Sequence, residues 1–272
     1  PSALWTLVAL AWVCWWCLAR RWPLSNRVAN CSMCAALAVW LAMPVWQRDS
    51  ADLRMDMLAV GDGSCYCLRS GSSAVIFDAG SSSNLDAGRR TIIPALRRLG
   101  VRSIDAAVIS HADVDHFSAT LELVDEFDVG VLHVTPQFMD AAEHDHAGLA
   151  AFVLDSLTNR RVAVRPIAAG AREQFGSMEW TWLHPHADAA FARDNDSSMV
   201  VRIEAGNRTV LLCGDIQQEA FDALASSGAP VKTDVLEVPH HGSFNEEAAA
   251  FVASADPRIV VQSTGWARWQ RD

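Results

Sequence analysis

Residues 105–116 read Asp-Ala-Ala-Val-Ile-Ser-His-Ala-Asp-Val-Asp-His, an apolar strand that runs directly into a polar loop. The last six positions contain four side chains that commonly bind metals, namely His111, Asp113, Asp115 and His116. Imidazole nitrogen and carboxylate oxygen together suit zinc or manganese. The alternative is a polar surface loop in which one histidine happens to face an aspartate. We favour a loop that holds two metal ions for hydrolysis.

The same order of strand and ligand occurs twice along the chain. One apolar strand ends in Asp78, ahead of the strand that leads to His111. Another ends in Asp215, ahead of a strand that leads to His240 and His241. This order indicates two related halves that face one site.

Hydrophobic periodicity predicts an α/β fold with two sheets packed face to face and helices outside. Helices are expected at 89–99, 118–127, 139–158, 216–226 and 245–254. Strands are expected at 54–60, 65–69, 74–78, 105–109, 130–134, 162–166, 178–183, 199–204, 208–213, 234–238 and 258–263.

Composition divides the chain near Gln47. Residues 1–46 contain three arginines and no acidic residue, whereas the remainder holds all 32 Asp and Glu against 19 of the 22 Lys and Arg. This division predicts a membrane segment over 1–46 and a separate α/β domain over 47–272. An excess of acidic residues in that domain argues against broad nonspecific binding of DNA.

Two apolar runs, 3–19 and 28–46, are each near the roughly 20 residues that a helix needs to span a bilayer. They predict a transmembrane hairpin rather than a cleaved signal peptide, because no basic region precedes the first run. Arg20, Arg21 and Arg27 lie in the connection, and the positive-inside rule places them in the cytoplasm. The large domain is then expected on the extracytoplasmic side of the plasma membrane. Both ends look cut from a longer, multi-pass chain.

Three motifs resemble the metallo-β-lactamase superfamily, and within it the C-terminal domain of the ComEC competence family. They are His111-x-Asp113-x-Asp115-His116, the strand end at Asp215, and Pro-His-His-Gly-Ser at 239–243. The resemblance covers roughly residues 52–265 and implies an αββα sandwich. The loop at 58–64 is similar to the family's Asp-Val-Gly-Gln-Gly-Asp loop but departs from it at Ala59, Asp62 and Ser64.

The resemblance implies two divalent metal ions, zinc or manganese. The ligands it implies are His111, Asp113, Asp115, His116, Asp215 and His241. Asp215 would bridge the ions, Asp115 would also orient the attacking water, and Asp78 would order the loop beneath the site. His240 would protonate the leaving oxygen unless it replaces His241 as a ligand. Residues 195–198 stand where most of the superfamily has a further histidine, which leaves the first ion with few ligands.

The implied function is a nuclease of a DNA uptake protein that degrades the DNA strand not imported. Its partners would be DNA at the channel mouth, the membrane, and other domains of the same full-length protein. Two alternatives stay open at this point. The domain hydrolyses another ester, such as a phosphocholine ester, or it is an inactive structural module of the channel.

Other histidines carry weaker indications. His184, at a strand end before a proline, is equally consistent with a role near the site and with an ordinary turn. The acidic and histidine cluster at 143–146 is better explained as a solvated helix face, because neighbouring positions on a helix diverge. His133 alternates within a strand and is expected to be a strand residue.

Overall fold

The computed structural model describes residues 11, 14, 15, 31, 34, 35, 52–243 and 246–270. The chain separates into two compact units, Pro1–Ser50 and Ala51–Asp272. Most of the predicted transmembrane hairpin lies outside the described residues. Within the described part of the chain, no helix is both long and apolar enough to cross a membrane.

Two six-stranded sheets form the second unit. The first sheet contains, in hydrogen-bonded order, β1 (Arg54–Met57), β2 (Tyr66–Ser70), β3 (Ser73–Phe77), β4 (Ser103–Val108), β5 (Asp128–Val134) and β6 (Val164–Pro166). The second contains, also in hydrogen-bonded order, β7 (Arg172–Phe175), β8 (Met178–His184), β9 (Val200–Ala205), β10 (Arg208–Leu212), β11 (Val235–Glu237) and β12 (Ile259–Val261).

The helices connect and flank these strands. A π-helical turn, Gly88–Ile92, leads into α1 (Ile93–Leu99), and 3-10 turns lie at Asp194–Ser197 and Pro239–Gly242. The other helices are α2 (Val114–Phe117), α3 (Thr120–Glu126), α4 (Pro136–His144), α5 (Leu149–Asn159), α6 (Gln218–Ser227), α7 (Glu246–Ala255) and α8 (Trp266–Trp269).

Successive side chains along each strand point to opposite faces of the sheet, and the buried ones form three apolar layers. On β3, Phe77 lies between the sheets with Trp180 and Trp182, whereas Ile76 faces the helices that contribute Leu96. This alternation follows from the two-residue period of a strand. A third layer packs β9, β10 and β11 against α6 and α7. The layers together make the αββα sandwich that the resemblance implies.

Parallel pairing brings the predicted ligand loops together. Strand β3 pairs in parallel with β4, and β10 pairs in parallel with β11. The carboxyl ends of parallel neighbours lie at the same edge of a sheet, so Asp78 lies beside the loop after β4. Asp215 lies beside the Pro239–Gly242 turn in the same way.

Several elements differ from the sequence prediction, and two of these differences have a clear local cause. The single helix predicted at 139–158 is wrong, because the chain breaks it into α4 and α5. Asp145 ends the first helix, since its carboxylate accepts a hydrogen bond from Ala147 N at 3.2 Å in a local turn. Strand β7 was not predicted, because its sequence Arg-Glu-Gln-Phe is largely polar at the edge of the sheet.

Candidate metal centre

Asp78 orders the loop that follows β4. Its carboxylate accepts hydrogen bonds from Ser110 N at 2.7 Å, from Ser110 Oγ at 2.9 Å and from His116 Nδ1 at 2.7 Å. The Ser110 hydroxyl gives its proton to Asp78, so its oxygen can accept from His111 Nδ1, 3.1 Å away. Asp78 thereby sets the orientation of both histidines, as the resemblance implied for a residue beneath the site.

The loop at 58–64 supports Asp115 from below. Ser64 N donates a hydrogen bond to Asp115 O at 3.0 Å. Gly80 passes so close that a Cβ there would lie 2.5 Å from Asp115 C and 2.6 Å from Asp115 O. Only glycine permits this approach. This loop and the loop after β3, which contains Gly80, therefore together fix the backbone that carries Asp115.

The second sheet supplies Asp215 and the histidine pair. Asp215 N donates to Ser198 Oγ at 3.1 Å, and His240 N donates to Gly214 O at 3.0 Å. His240 and His241 both have left-handed backbones, with φ of 53° and 55°. Left-handed residues other than glycine cost roughly 1–2 kcal/mol each, and such strain concentrates at functional sites.

Five of the predicted side chains converge where the two sheets meet. His116 Nε2 lies 3.1 Å from Asp215 Oδ1, and His241 Nε2 lies 3.5 Å from both Asp115 Oδ2 and Asp215 Oδ1. Ligand atoms of His111, His116 and Asp215 lie within 4.8 Å of one another, as do those of Asp115, His116 and His241. These are two adjoining groups that share His116.

Buried polar atoms in the cluster fit a cation. Among the described residues, no hydrogen bond satisfies Nε2 of His111, His116 or His241, or Oδ1 of Asp215. Unsatisfied polar atoms are costly in a protein interior. These four atoms, all nitrogen or carboxylate oxygen, belong to the two adjoining groups and form the donor set that zinc or manganese prefers.

The outer nitrogens of two ligand histidines are anchored. His116 Nδ1 donates to Asp78 Oδ2 at 2.7 Å, and His241 Nδ1 donates to Ser263 O at 2.8 Å. Histidines that bind metals commonly donate their other ring N–H to a carboxylate or a carbonyl. This arrangement leaves each Nε2 lone pair directed into the cluster.

Charge in the cluster also favours a cation. Burial raises the pKa of Asp215, but His116 outweighs that effect and holds the pKa of this carboxyl well below its usual range. Burial lowers the pKa of His116, but Asp215 and Asp78 hold it well above its ordinary value. Burial lowers the pKa of His111 to about 3, so its ring stays neutral. Because protons and metals compete for His116, metal affinity should fall at low pH.

The structure does not bring Asp113 into either ligand group. Asp113 is exposed and caps α2, where its carboxylate accepts a hydrogen bond from Val114 N at 2.7 Å. The side chain is turned to the start of the helix, and a role for Asp113 as a metal ligand stays a prediction. The members that the structure brings together are His111, Asp115, His116, Asp215 and His241.

His240 lies beside the cluster but belongs to neither ligand group. Its Nε2 atom is 3.9 Å from Asp215 Oδ2, and its Nδ1 atom is 2.9 Å from Gln217 Nε2. The side chain is 31% exposed, against 4% for His241. His240 therefore lies at the rim, between the buried ligands and solvent.

Residues 195–198 perform a different task from the histidine found there in most of the superfamily. Ser198 holds Asp215 through its hydroxyl, and Asp196 caps α6. His184 is buried, and its Nε2 donates to Asp196 O at 2.8 Å. It thus supports this segment and is not a member of either ligand group. His133 lies in β5 as predicted.

Sequence reasoning missed Glu237, a carboxylate buried at the end of β11. It accepts hydrogen bonds from Cys213 N at 2.8 Å and Gly214 N at 3.1 Å, directly before Asp215. The Ser64 hydroxyl lies 3.4 Å from Glu237 Oε1. An acidic residue in the apolar run Val-Leu-Glu-Val was the available indication, since a buried charge needs a partner.

We expect Glu237→Gln to stabilise the domain at alkaline pH. Burial raises the pKa of Glu237 from 4.5 to about 7, so the folded state binds this proton more tightly than the unfolded state. The stability that protonated Glu237 contributes is therefore lost as pH rises from 4.5 to about 7. The variant should gain up to about 3 kcal/mol at pH 8 and nothing below pH ~4.5. Thermal denaturation across this range tests it, with exposed Glu143→Gln as the control that should show no such trend.

This protein is an αββα sandwich with histidine and aspartate side chains where its two sheets meet. Proteins with this fold and this kind of site are generally metal-dependent hydrolases. Residues 58–266 match the model of the metallo-beta-lactamase superfamily. The chain belongs to that superfamily.

The curated relatives include competence proteins. The chain is 28% identical over 178 residues to ComE operon protein 3 of Bacillus subtilis strain 168, covering 65% of this chain and 22% of the relative. It is 26% identical over 208 residues to competence protein ComA of Neisseria gonorrhoeae, covering 76% of this chain and 26% of the relative. It is 25% identical over 232 residues to recombination protein 2 of Haemophilus influenzae, covering 85% of this chain and 26% of the relative. The chain spans about a quarter of the length of these relatives.

Among solved structures, the chain is similar to the metallo-beta-lactamase fold protein YhfI from Bacillus subtilis. The TM-score is 0.48 with 15% sequence identity, and the match covers 78% of this chain and 88% of that one.

Proposed function

We propose that this chain is the nuclease domain of a ComEC-like DNA uptake protein and hydrolyses phosphodiesters of the strand that is not imported. The convergence of two ligand groups on the shared His116 carries the hydrolytic part of this proposal. Similarity to competence proteins supports DNA as the substrate. Membrane and neighbouring domains of the full-length protein would bring the DNA to the site.

Two divalent cations, zinc or manganese, would lower the pKa of water and neutralise charge on the phosphoryl oxygens. His116 offers one Nε2 atom and can serve only one ion, whereas the two oxygens of Asp215 allow it to bridge. We assign Asp115, His116 and His241 to one ion and His111 to the other, with Asp215 shared. Residues 195–198 supply no histidine to the second ion, which should bind more weakly.

Asp115 is placed to orient the attacking water. Its side chain is only 16% exposed, and Oδ2 lies 3.5 Å from His241 Nε2. Burial raises the pKa of Asp115, but the contact with His241 outweighs it and the pKa lies below its usual value. An ionised carboxylate at the inner edge of the cluster can accept a hydrogen bond from water and direct its lone pair.

DNA binding is expected to be local to the centre. Three arginines of α1 and the turn before it are exposed and ion-paired, Arg89 with Glu122, Arg90 with Asp86 and Arg97 with Glu126. They form a solvated face of α1 and its preceding turn. The domain is acidic and we do not expect DNA to bind to this face of α1. Its affinity for DNA should therefore come from the metal ions and the rim of the site.

Metal analysis and a cleavage assay test the function together. The chain is loaded with zinc or manganese, its metal content is measured by mass spectrometry, and linear DNA and a phosphocholine ester are offered as substrates. We expect metal in the protein and cleavage of DNA that a chelator abolishes. Absence of metal would favour the structural module, and cleavage of the phosphocholine ester without DNA cleavage would favour another hydrolase.

Topology is a separate prediction of the same proposal. If the chain is anchored in the plasma membrane, residues 20–27 should lie on the cytoplasmic side and residues from 52 onward on the extracytoplasmic side. Cysteines introduced at Ser25 and at exposed Ser82 should react with impermeant reagents from opposite sides. The background chain without added cysteine is the control. Labelling of position 82 from the cytoplasmic side alone would reverse the proposed orientation.

A further inference from the structure

Gln217 occupies an unusual position for a glutamine. It is the N-cap of α6, where Ser, Thr, Asp and Asn are preferred, and its side chain makes no capping hydrogen bond. Asp196 caps the helix in its place, because Oδ1 accepts from Gln217 N at 2.9 Å and from Ala220 N at 3.1 Å. The glutamine side chain is thereby released from capping and points to His240.

Arg193 fixes which end of this amide faces His240. A guanidinium only donates hydrogen bonds, and Arg193 Nη1 donates to Gln217 Oε1 at 2.8 Å. The amide NH2 is therefore turned to His240, where Gln217 Nε2 lies 2.9 Å from Nδ1. Because an amide NH2 also only donates, Nδ1 of His240 has to accept. The ring proton of His240 is then on Nε2.

This pattern is opposite to that of the neighbouring histidine. Nδ1 of His241 donates to Ser263 O, which leaves its Nε2 lone pair for a cation. Nε2 of His240 carries a hydrogen and cannot bind a cation in this tautomer. The two adjacent imidazoles are thus prepared for different tasks by the hydrogen bonds at their outer nitrogens.

We propose that Arg193 and Gln217 are positioning residues that hold His240 as an uncharged hydrogen-bond donor to a phosphoryl oxygen of the substrate, an inference that rests on the proposed phosphodiesterase function. His240 would then be neither a metal ligand nor the proton donor expected from the sequence. Nε2 lies 3.9 Å from Asp215 Oδ2, so a phosphate held at the ligand cluster would lie close to Nε2.

The chemistry is consistent with an uncharged ring. Water forms the new bond to phosphorus and releases a proton to solvent, and the bond between phosphorus and the leaving sugar oxygen breaks. His240 stabilises charge on a non-bridging oxygen through its Nε2–H and keeps its proton, because losing it would leave an imidazolate. The leaving oxygen takes its proton from water. Removal of one such preorganised donor typically costs roughly 10²–10³-fold in kcat.

The tautomer can be measured without any activity. In the full chain labelled with ¹⁵N, two-bond ¹⁵N–¹H correlation spectra distinguish protonated from unprotonated ring nitrogens. We expect His240 to show Nε2–H and bare Nδ1, both in metal-free protein and after addition of Zn²⁺. In Gln217→Glu a carboxylate replaces the amide, so Nδ1 should become protonated. A wild-type His240 protonated on Nδ1, or one that loses its Nε2 proton when Zn²⁺ is added, would overturn the inference.

Kinetics separate the donor role from proton transfer. His240→Ala should lower kcat roughly 10²–10³-fold, and Gln217→Met roughly tenfold or more through loss of the fixed tautomer. The loss should be equal for DNA and for bis(p-nitrophenyl) phosphate, whose leaving group needs no proton. Gln218→Met is the matched control, because its amide contacts Asp222 and not His240.

The outcomes distinguish this inference from the function on which it rests. Losses that vanish with the activated ester would make His240 the proton donor, and would overturn the inference while leaving the nuclease intact. Unchanged kcat in Gln217→Met would overturn it as well. If wild-type protein with bound metal cleaves neither substrate, the proposed function fails, and the spectra of His240 still decide the tautomer.

Discussion

Asp215→Asn should abolish hydrolysis while leaving the domain folded. The side chain lies at the end of β10, and Oδ1 is within 3.5 Å of Nε2 of both His116 and His241. The amide keeps the shape but removes the negative charge that would hold two cations close together. Activity should fall more than roughly 100-fold, beyond what changes outside the ligand sphere typically cost. Steady-state cleavage of linear DNA, metal per chain and the melting temperature test this expectation.

A matched control comes from the helix that follows. Asp222→Asn changes an exposed carboxylate of α6, away from the ligand groups, and should leave all three quantities as in the wild type. The bridging role is refuted by an Asp215→Asn protein with full metal content and undiminished cleavage. A protein that loses cleavage only because it unfolds would show its defect in the melting temperature.

His116→Ala should lose bound metal far more severely than His144→Ala. His116 belongs to both ligand groups, its ring is fully buried, and its Nδ1 is fixed by Asp78. Because its single Nε2 atom can serve only one ion, the affinity for that ion should fall more than roughly 100-fold. Metal content after dialysis against a graded series of chelator concentrations measures the effect.

The control for His116 is another histidine at the end of a helix. His144 is exposed, and its Nδ1 contacts the carbonyl of Asp140 in the preceding turn. His144→Ala should keep wild-type metal content. Because removal of a buried ring also costs stability, His116→Gln provides a larger replacement that fills the space. Equal metal retention in the His116 and His144 variants would show that the centre lies elsewhere.

The sequence was most informative where ligands end strands. His111, Asp215 and His241 each follow an apolar run, and the parallel pairing of those runs decides where their loops meet. Asp113 shows the limit of this reasoning, since the ligand motif did not indicate that its side chain caps α2. Spacing alone does not determine the side-chain direction at such a boundary.

Long-range contacts account for most of what the sequence did not predict. The contact of Gln217 with His240 spans 23 positions and depends on how β11 returns to β10. Glu237 is recognised only when its burial against the backbone of residues 213 and 214 is seen. The break between α4 and α5 is local by contrast, and the turn-forming Asp145 and Gly148 could have indicated it.

The ligands come from both sheets, and this has a consequence for biogenesis. His111 and His241 are roughly 130 positions apart, and Nδ1 of His241 is held by Ser263, close to the last described residues. A ribosome must release nearly the whole domain before the site can close around an ion. Metal that binds only the finished fold stabilises it by mass action. Uptake of metal during synthesis would thus report completed folding, and nascent chains that stop before Pro239 should acquire none.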